Sequence, residues 1–116
     1  MATGYKRGEV VLVDFNPRKR PQEVAKVRPA VIVSDSDLNE VLDLVTVVAL
    51  TTNLIDGAEP LRVRLCPREK LKKESDAMVE QLRSIAKSRI KERIASVTPK
   101  EMRTIEEGIR LMLALE

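Results

Sequence analysis

Three short stretches of this chain carry side chains whose types and order could act on a polyanion. Arg28-Pro29 places a planar guanidinium at the mouth of an apolar segment. The proline that follows donates no ladder hydrogen bond, so the fork of donors is presented to a phosphate oxygen. Thr51-Thr52 ends the most apolar stretch of the chain, and a hydroxyl at the exit of a buried strand is rigidly placed. It could hydrogen-bond a non-bridging phosphate oxygen as charge builds in a transition state. Glu80-Gln81-Leu82-Arg83-Ser84 sets an acid, an amide and a guanidinium along an extended segment, and glutamine can read a base edge as both donor and acceptor. Each stretch also has a structural alternative. Arg28 could clamp Glu23 or Asp14, Thr51 could satisfy a turn backbone, and residues 80–84 could join a surface or buried network.

What the chain lacks narrows the chemistry. Among 116 residues there is no His and no Trp, one Cys, one Tyr and one Phe. That excludes a Ser-His-Asp or Cys-His relay, a His-paired metal site and an imidazole acid or base. The scattered carboxylates show no dense ligand spacing, so neither a metal nor a cofactor is expected. With Tyr5 and Phe15 as the aromatics, base recognition would fall to polar edges and Arg planes rather than to stacking on rings. Cys66 has no His to serve as its base and is expected to be a small buried hydrophobe. A single Cys fits a reducing compartment, and no leader or bilayer-length apolar stretch is present, so a cytoplasmic protein is expected.

The net charge of +3 says little, but its distribution says more. Three basic runs stand out: Arg18, Lys19, Arg20, Lys26 and Arg28 against Glu23; Arg62, Arg64, Arg68, Lys70, Lys72 and Lys73 against Glu69; and Arg83 to Arg93. Asp35 to Asp43 carries four acids and no base. Segregated positive stretches on a small domain suggest a polyanion or an acidic partner, although each run alone could be a solvated face.

The elements that must position these residues are short strands. Glu9–Phe15 is β-branched and bounded by Gly8 and Asn16-Pro17; Pro29–Ser34 is a second strand. Ser34 to Asp37 offers capping oxygens for one or two helical turns. Leu44–Leu50 reads as a strand buried on both faces, and Leu61–Leu65 as a strand with one cationic face. Met78–Ile85 and Ile90–Val97 are weaker strands. Thr98-Pro99-Lys100-Glu101 is a capping box. Met102, Ile105, Ile109, Met112 and Leu113 then mark one apolar stripe of a helix from Pro99 to about Leu115. Residues 1–116 are expected to form a single α+β domain, a small curled β-barrel with a C-terminal helix and short additional helices.

Taken together, Gly8–Phe15 with Pro17, Glu23, Arg28–Ser34, Val47–Thr51 and Glu80–Ile85 resemble, in order and spacing, the MazF/PemK-type toxin endoribonucleases. The resemblance covers nearly the whole chain. It implies an SH3-like barrel, a homodimer and metal-independent cleavage of single-stranded RNA at short sequences. It also implies an antitoxin whose acidic, disordered tail occupies the RNA groove. Arg28 matches the family's catalytic Arg, Thr51 its catalytic Thr, and Glu23 a loop Glu that is the candidate proton acceptor. The RNA's own 2′-hydroxyl would be the nucleophile, leaving a 2′,3′-cyclic phosphate and a 5′-hydroxyl. RNA contacts are expected from Arg18, Lys19, Arg20, Gln22 and Lys26 in the loop, from Thr52 and Asn53, and from Glu80, Gln81 and Arg83. The chain departs from the family at residues 20–26, which hold no glycine, and at Ala86, where an Asp is familiar. Two other readings stand beside the enzyme: a non-catalytic toxin of the same fold that inhibits DNA gyrase, and an RNA-binding barrel without activity. Gyrase-poisoning relatives end in Trp-Gly-Ile, whereas residues 114–116 read Ala-Leu-Glu.

Overall fold

The computed structural model describes residues 4–15 and 26–116. The chain runs β1 (Glu9–Asp14), β2 (Val27–Ile32), α1 (Ser36–Val41), β3 (Leu44–Thr51), β4 (Arg62–Leu65), β5 (Ser75–Ala86), a 3-10 turn (Lys87–Arg89), β6 (Ile90–Ser96) and α2 (Pro99–Met112). The strands form one antiparallel sheet in the order β4-β5-β3-β2-β1-β6. The sheet is curled and left open at its seam. β4 and β6 are its two edges, but the turn after β4 reaches across, and the Lys70 N–H donates to the Ile94 carbonyl of β6 at 3.0 Å. Among the described residues no helix is long and apolar enough to cross a membrane.

Central β3 is apolar on both faces, as its sequence requires. Val48 and Leu50 join Val10, Val31, Val63, Leu65, Ala77 and Val79 on one face, where α2 adds Met102 and Ile105. Val45 and Val47 join Val11, Val13, Ala30, Ile32 and Ile85 in a second cluster, with Tyr5, Phe15 and Ile90 packed against it. The capping box starts α2: Thr98 Oγ1 accepts from the Glu101 N–H at 3.1 Å, and Glu101 Oε1 accepts from the Thr98 N–H at 2.8 Å. The helix ends at Met112, earlier than its apolar stripe suggests, because Ala114 turns the chain out at a φ of 57°. Within α2, Gly108 allows a close approach, since a Cβ there would collide with the Pro60 carbonyl ahead of β4. Asp35 caps α1 by accepting from the N–H groups of Asp37 and Leu38.

Three local expectations are corrected. β5 begins at Ser75 rather than Met78, because Arg64 stands opposite Asp76 across the β4–β5 ladder and neutralises a carboxylate that would otherwise break a strand. β2 begins at Val27, where pairing to Asp14 and Val13 of β1 extends the ladder past the proline. Cys66 is exposed, not buried: β4 ends at Leu65, and the Arg68 guanidinium turns back onto the Cys66 carbonyl at 3.0 Å and sulfur at 3.3 Å.

Candidate functional site

Strand register brings the two leading candidates together. β1 pairs Val13 with Arg28, and β2 pairs Ala30 with Ala49 of β3. Continuing the second register by two residues sets Arg28 opposite Thr51. Thr51 is in turn registered with Asp76 of β5, and Asp76 with Arg64 of β4. Residues directly opposite one another in an antiparallel sheet project to the same face. Positions far apart in sequence therefore form one row across the sheet.

Arg28 and Thr51 line a cleft of about 230 Å³ together with Pro29, Leu50, Thr52 and Ser75. A smaller hollow of about 70 Å³ shares Arg28 and is completed by Phe15, Lys26, Ala49, Met78, Gln81 and Arg83. Arg28 thus joins two compartments of one groove. Gln81 and Met78 face the same hollow because of a bulge: Val48 pairs with Leu82, but Leu50 pairs with Ala77, so β5 carries extra residues opposite Ala49. Such a bulge re-aims side chains that strict alternation would separate. Arg83 lies with its guanidinium carbon 5.1 Å from the Phe15 ring centroid, a cation–π arrangement.

Among the described residues, Lys26, Arg28 and Arg83 have no ion-pair partner. The clamp between Arg28 and Asp14 is not formed; Glu23, its other proposed partner, lies outside the described residues, as do Arg18, Lys19, Arg20 and Gln22. The second basic run behaves differently. Arg64 meets Asp76, Asp56 and Glu74; Arg62 meets Asp76 and Glu80; Arg68 meets Glu101; and Lys70 meets Glu92. Those cations hold the fold rather than face the groove.

The Thr51 hydroxyl does accept a turn hydrogen bond, from the Asn53 N–H at 3.1 Å. This does not remove it from the site. A hydroxyl has two acceptor lone pairs and one proton, so the proton of Thr51 stays available to an anion in the cleft. Glu80 is turned away from Gln81, with its carboxylate 3.4 Å from Arg62 Nε. The sequence missed Asp76, which is 1% exposed. Burial alone pushes its carboxyl up, but hydrogen bonds from Arg64 and the Ile55 N–H, with the nearby positive charge of Arg64 and Arg62, hold it below the usual range. Its hydrogen bond to Asp76, with a second to Asp56, raises the Arg64 guanidinium correspondingly. A polar pair at 75–76 reads as turn chemistry, and nothing short-range in the sequence marks Asp76 as a strand residue facing Arg64.

The family described as PemK-like, MazF-like toxin of type II toxin-antitoxin system matches residues 6–113. An endoribonuclease MazF of Staphylococcus saprophyticus is 31% identical over 111 residues, covering 95% of this chain and 92% of that protein. Among solved structures, the MazE-MazF complex of Deinococcus radiodurans aligns with a TM-score of 0.81 at 20% identity, covering 99% of this chain and all of that one. An endoribonuclease in complex with its cognate antitoxin from a mycobacterial species aligns at a TM-score of 0.74 and 23% identity, covering 99% of this chain and 98% of that one. At those identities the structural likeness speaks for the fold.

Proposed function

The chain belongs to the PemK-like, MazF-like toxin family of type II toxin-antitoxin systems, and from that premise we propose that it is an endoribonuclease that cuts single-stranded mRNA without a metal and so blocks translation. The 2′-oxygen of one ribose attacks the adjacent phosphorus, its proton passes to an acceptor, and the bond to the departing 5′-oxygen breaks as that oxygen takes up a proton from solvent water. The products are a 2′,3′-cyclic phosphate and a 5′-hydroxyl. Arg28 binds the non-bridging oxygens with its fork, and the Thr51 proton meets the same phosphate as charge builds on it. Glu23 is the proposed proton acceptor, in keeping with a cleft lined by no described carboxylate. Arg28 itself is already protonated and has no acceptor site for that proton.

RNA enters along the groove that Arg28 bridges. Lys26, Thr52 and Asn53 hold its backbone, with Arg18, Lys19, Arg20 and Gln22 contributing from the stretch of sequence before β2. Gln81 reads a base edge beside the Arg83 plane, and Glu80 borders this reading segment. We propose further that the protein is one domain over residues 1–116, works in the cytoplasm as a homodimer, and is neutralised by an antitoxin whose carboxylate-rich segment takes the place of RNA. Lys26, Arg28 and Arg83, which pair with no carboxylate among the described residues, are what such a segment would meet.

The observation that carries this reading is Arg28 and Thr51 lining one cleft from separate strands. Incubating the purified protein with a long single-stranded RNA in EDTA, and mapping the new 5′ ends, tests it. Cuts at a recurring short sequence with 5′-hydroxyl ends are expected, with Arg28→Ala slower by about 10²–10³-fold. Uncut RNA with the natural protein, or equal cutting by Arg28→Ala, overturns it.

A further inference from the structure

Beyond the cleft, a buried carboxylate and two arginines hold the loop that follows β3. Asp76 Oδ2 accepts from the Ile55 N–H at 2.8 Å, while Asp76 Oδ1 is bound by Arg64 Nε. Arg64 also donates to Asp56 at 2.9 Å. Arg62, whose side chain is 15% exposed, donates to the Asn53 carbonyl at 3.3 Å and lies 3.9 Å from Asp76 Oδ2. Its Nε faces the Glu80 carboxylate. The Asn53 peptide is therefore held from both sides: its N–H by the Thr51 hydroxyl, its carbonyl by Arg62.

We infer that Asp76, Arg62 and Arg64 form a positioning latch for the reaction, fixing residues 53–56 so that the Thr51 hydroxyl keeps an occupied acceptor and a proton aimed into the cleft it shares with Arg28. Glu80 acts through the same latch by orienting Arg62, which ties the base-reading stretch of β5 to the loop beside the reacting phosphate. None of these four side chains touches the phosphate. The physical need is plain. A loop with few apolar anchors would let the Thr51 hydroxyl rotate to several partners, and misplacement of a donor by about 1 Å costs on the order of 10²-fold in rate. A carboxylate that is buried and fully hydrogen-bonded supplies the rigidity that such a donor requires.

The latch rests on the RNA-cleaving reading, and two readouts separate their failures. Arg62→Gln and Asp76→Asn are compared with the natural protein for kcat and KM on single-stranded RNA, and for amide hydrogen exchange at Asn53 and Ile55. The expected result is kcat lower by about 10- to 100-fold with KM changed less than about twofold, faster exchange at the two amides, and partial recovery in Arg62→Lys. In a Thr51→Ala background, Arg62→Gln costs no further rate, because the two act through one hydroxyl. Unchanged kcat and unchanged exchange in folded Arg62→Gln overturn the latch. If Asp76→Asn does not fold, Arg62→Gln decides, since it leaves the Arg64–Asp76 pair intact. If the natural protein cuts no RNA, the cleavage reading falls, and exchange at Asn53 still tests the latch.

Discussion

Thr51 has one hydrogen-bonding duty in the structure and, in the proposed reaction, a second, and its side chain has the capacity for both. Accepting from the Asn53 N–H satisfies a turn; the remaining proton is free for a phosphate oxygen. The structural reading of this residue and the proposed chemical one are therefore compatible rather than rivals. Removing the hydroxyl loses both contacts, whereas serine keeps them with less steric restriction on χ1. Thr51→Ala is expected to lower kcat by about 10²–10³-fold with little change in KM, and Thr51→Ser to recover most of it. Single-turnover cleavage of a short RNA measures both. A Thr51→Ala protein with natural kcat would show that the hydroxyl serves the turn alone.

At the level of elements, the sequence disclosed what depends on short-range pattern. The capping box at Thr98–Glu101, the alternation of Arg62–Leu65 and the two-faced apolar run of β3 all stand where their residues imply. The meeting of Arg28 and Thr51 in one cleft was visible only through resemblance, because strand register is set by tertiary packing. The bulge in β5 was hidden for the same reason, so Met78 and Gln81 could not be assigned to one hollow from alternation. The second basic run was misleading: its arginines look like a polyanion face, yet their carboxylate partners come from Asp56, Asp76 and Glu101, distant in the chain. Gly108 is another long-range constraint, interpretable only once α2 lies against Pro60. Gly108→Ala adds helix propensity of about 1 kcal/mol. Forcing α2 away from that backbone costs about 1–3 kcal/mol and destroys the packing around it. A net fall in thermal midpoint is expected, measured by circular dichroism; a rise would mean that α2 moves out without loss.

At the level of the whole molecule, two ion pairs tie distant parts of the sheet and helix, and the lowered carboxyls in both make the fold sensitive to acid. Arg64–Asp76 joins β4 to β5, and Arg68–Glu101 fastens the turn after β4 to the first turn of α2 through two parallel hydrogen bonds. In Glu101, burial pushes the carboxyl up, but the Arg68 hydrogen bonds and the Thr98 N–H outweigh it and leave it below the ordinary range. Asp76 is displaced in the same direction. A carboxyl whose folded value is depressed binds protons more readily when unfolded, so its stabilisation is complete above the unfolded value. That stabilisation is lost as pH falls through the folded one. The thermal midpoint is thus expected to be nearly flat from neutrality to about pH 5 and to fall as the pH drops below about 4. Glu101→Gln removes one of the two contributions while keeping an acceptor for the helix cap. It should be less stable at pH 7 by about 1–3 kcal/mol, the usual worth of a hydrogen-bonded charge pair. The difference should shrink as acid protonates Glu101 in the natural protein, so the two melting curves converge toward pH 3. Parallel curves across that range would mean that the Arg68–Glu101 contact contributes packing rather than charge.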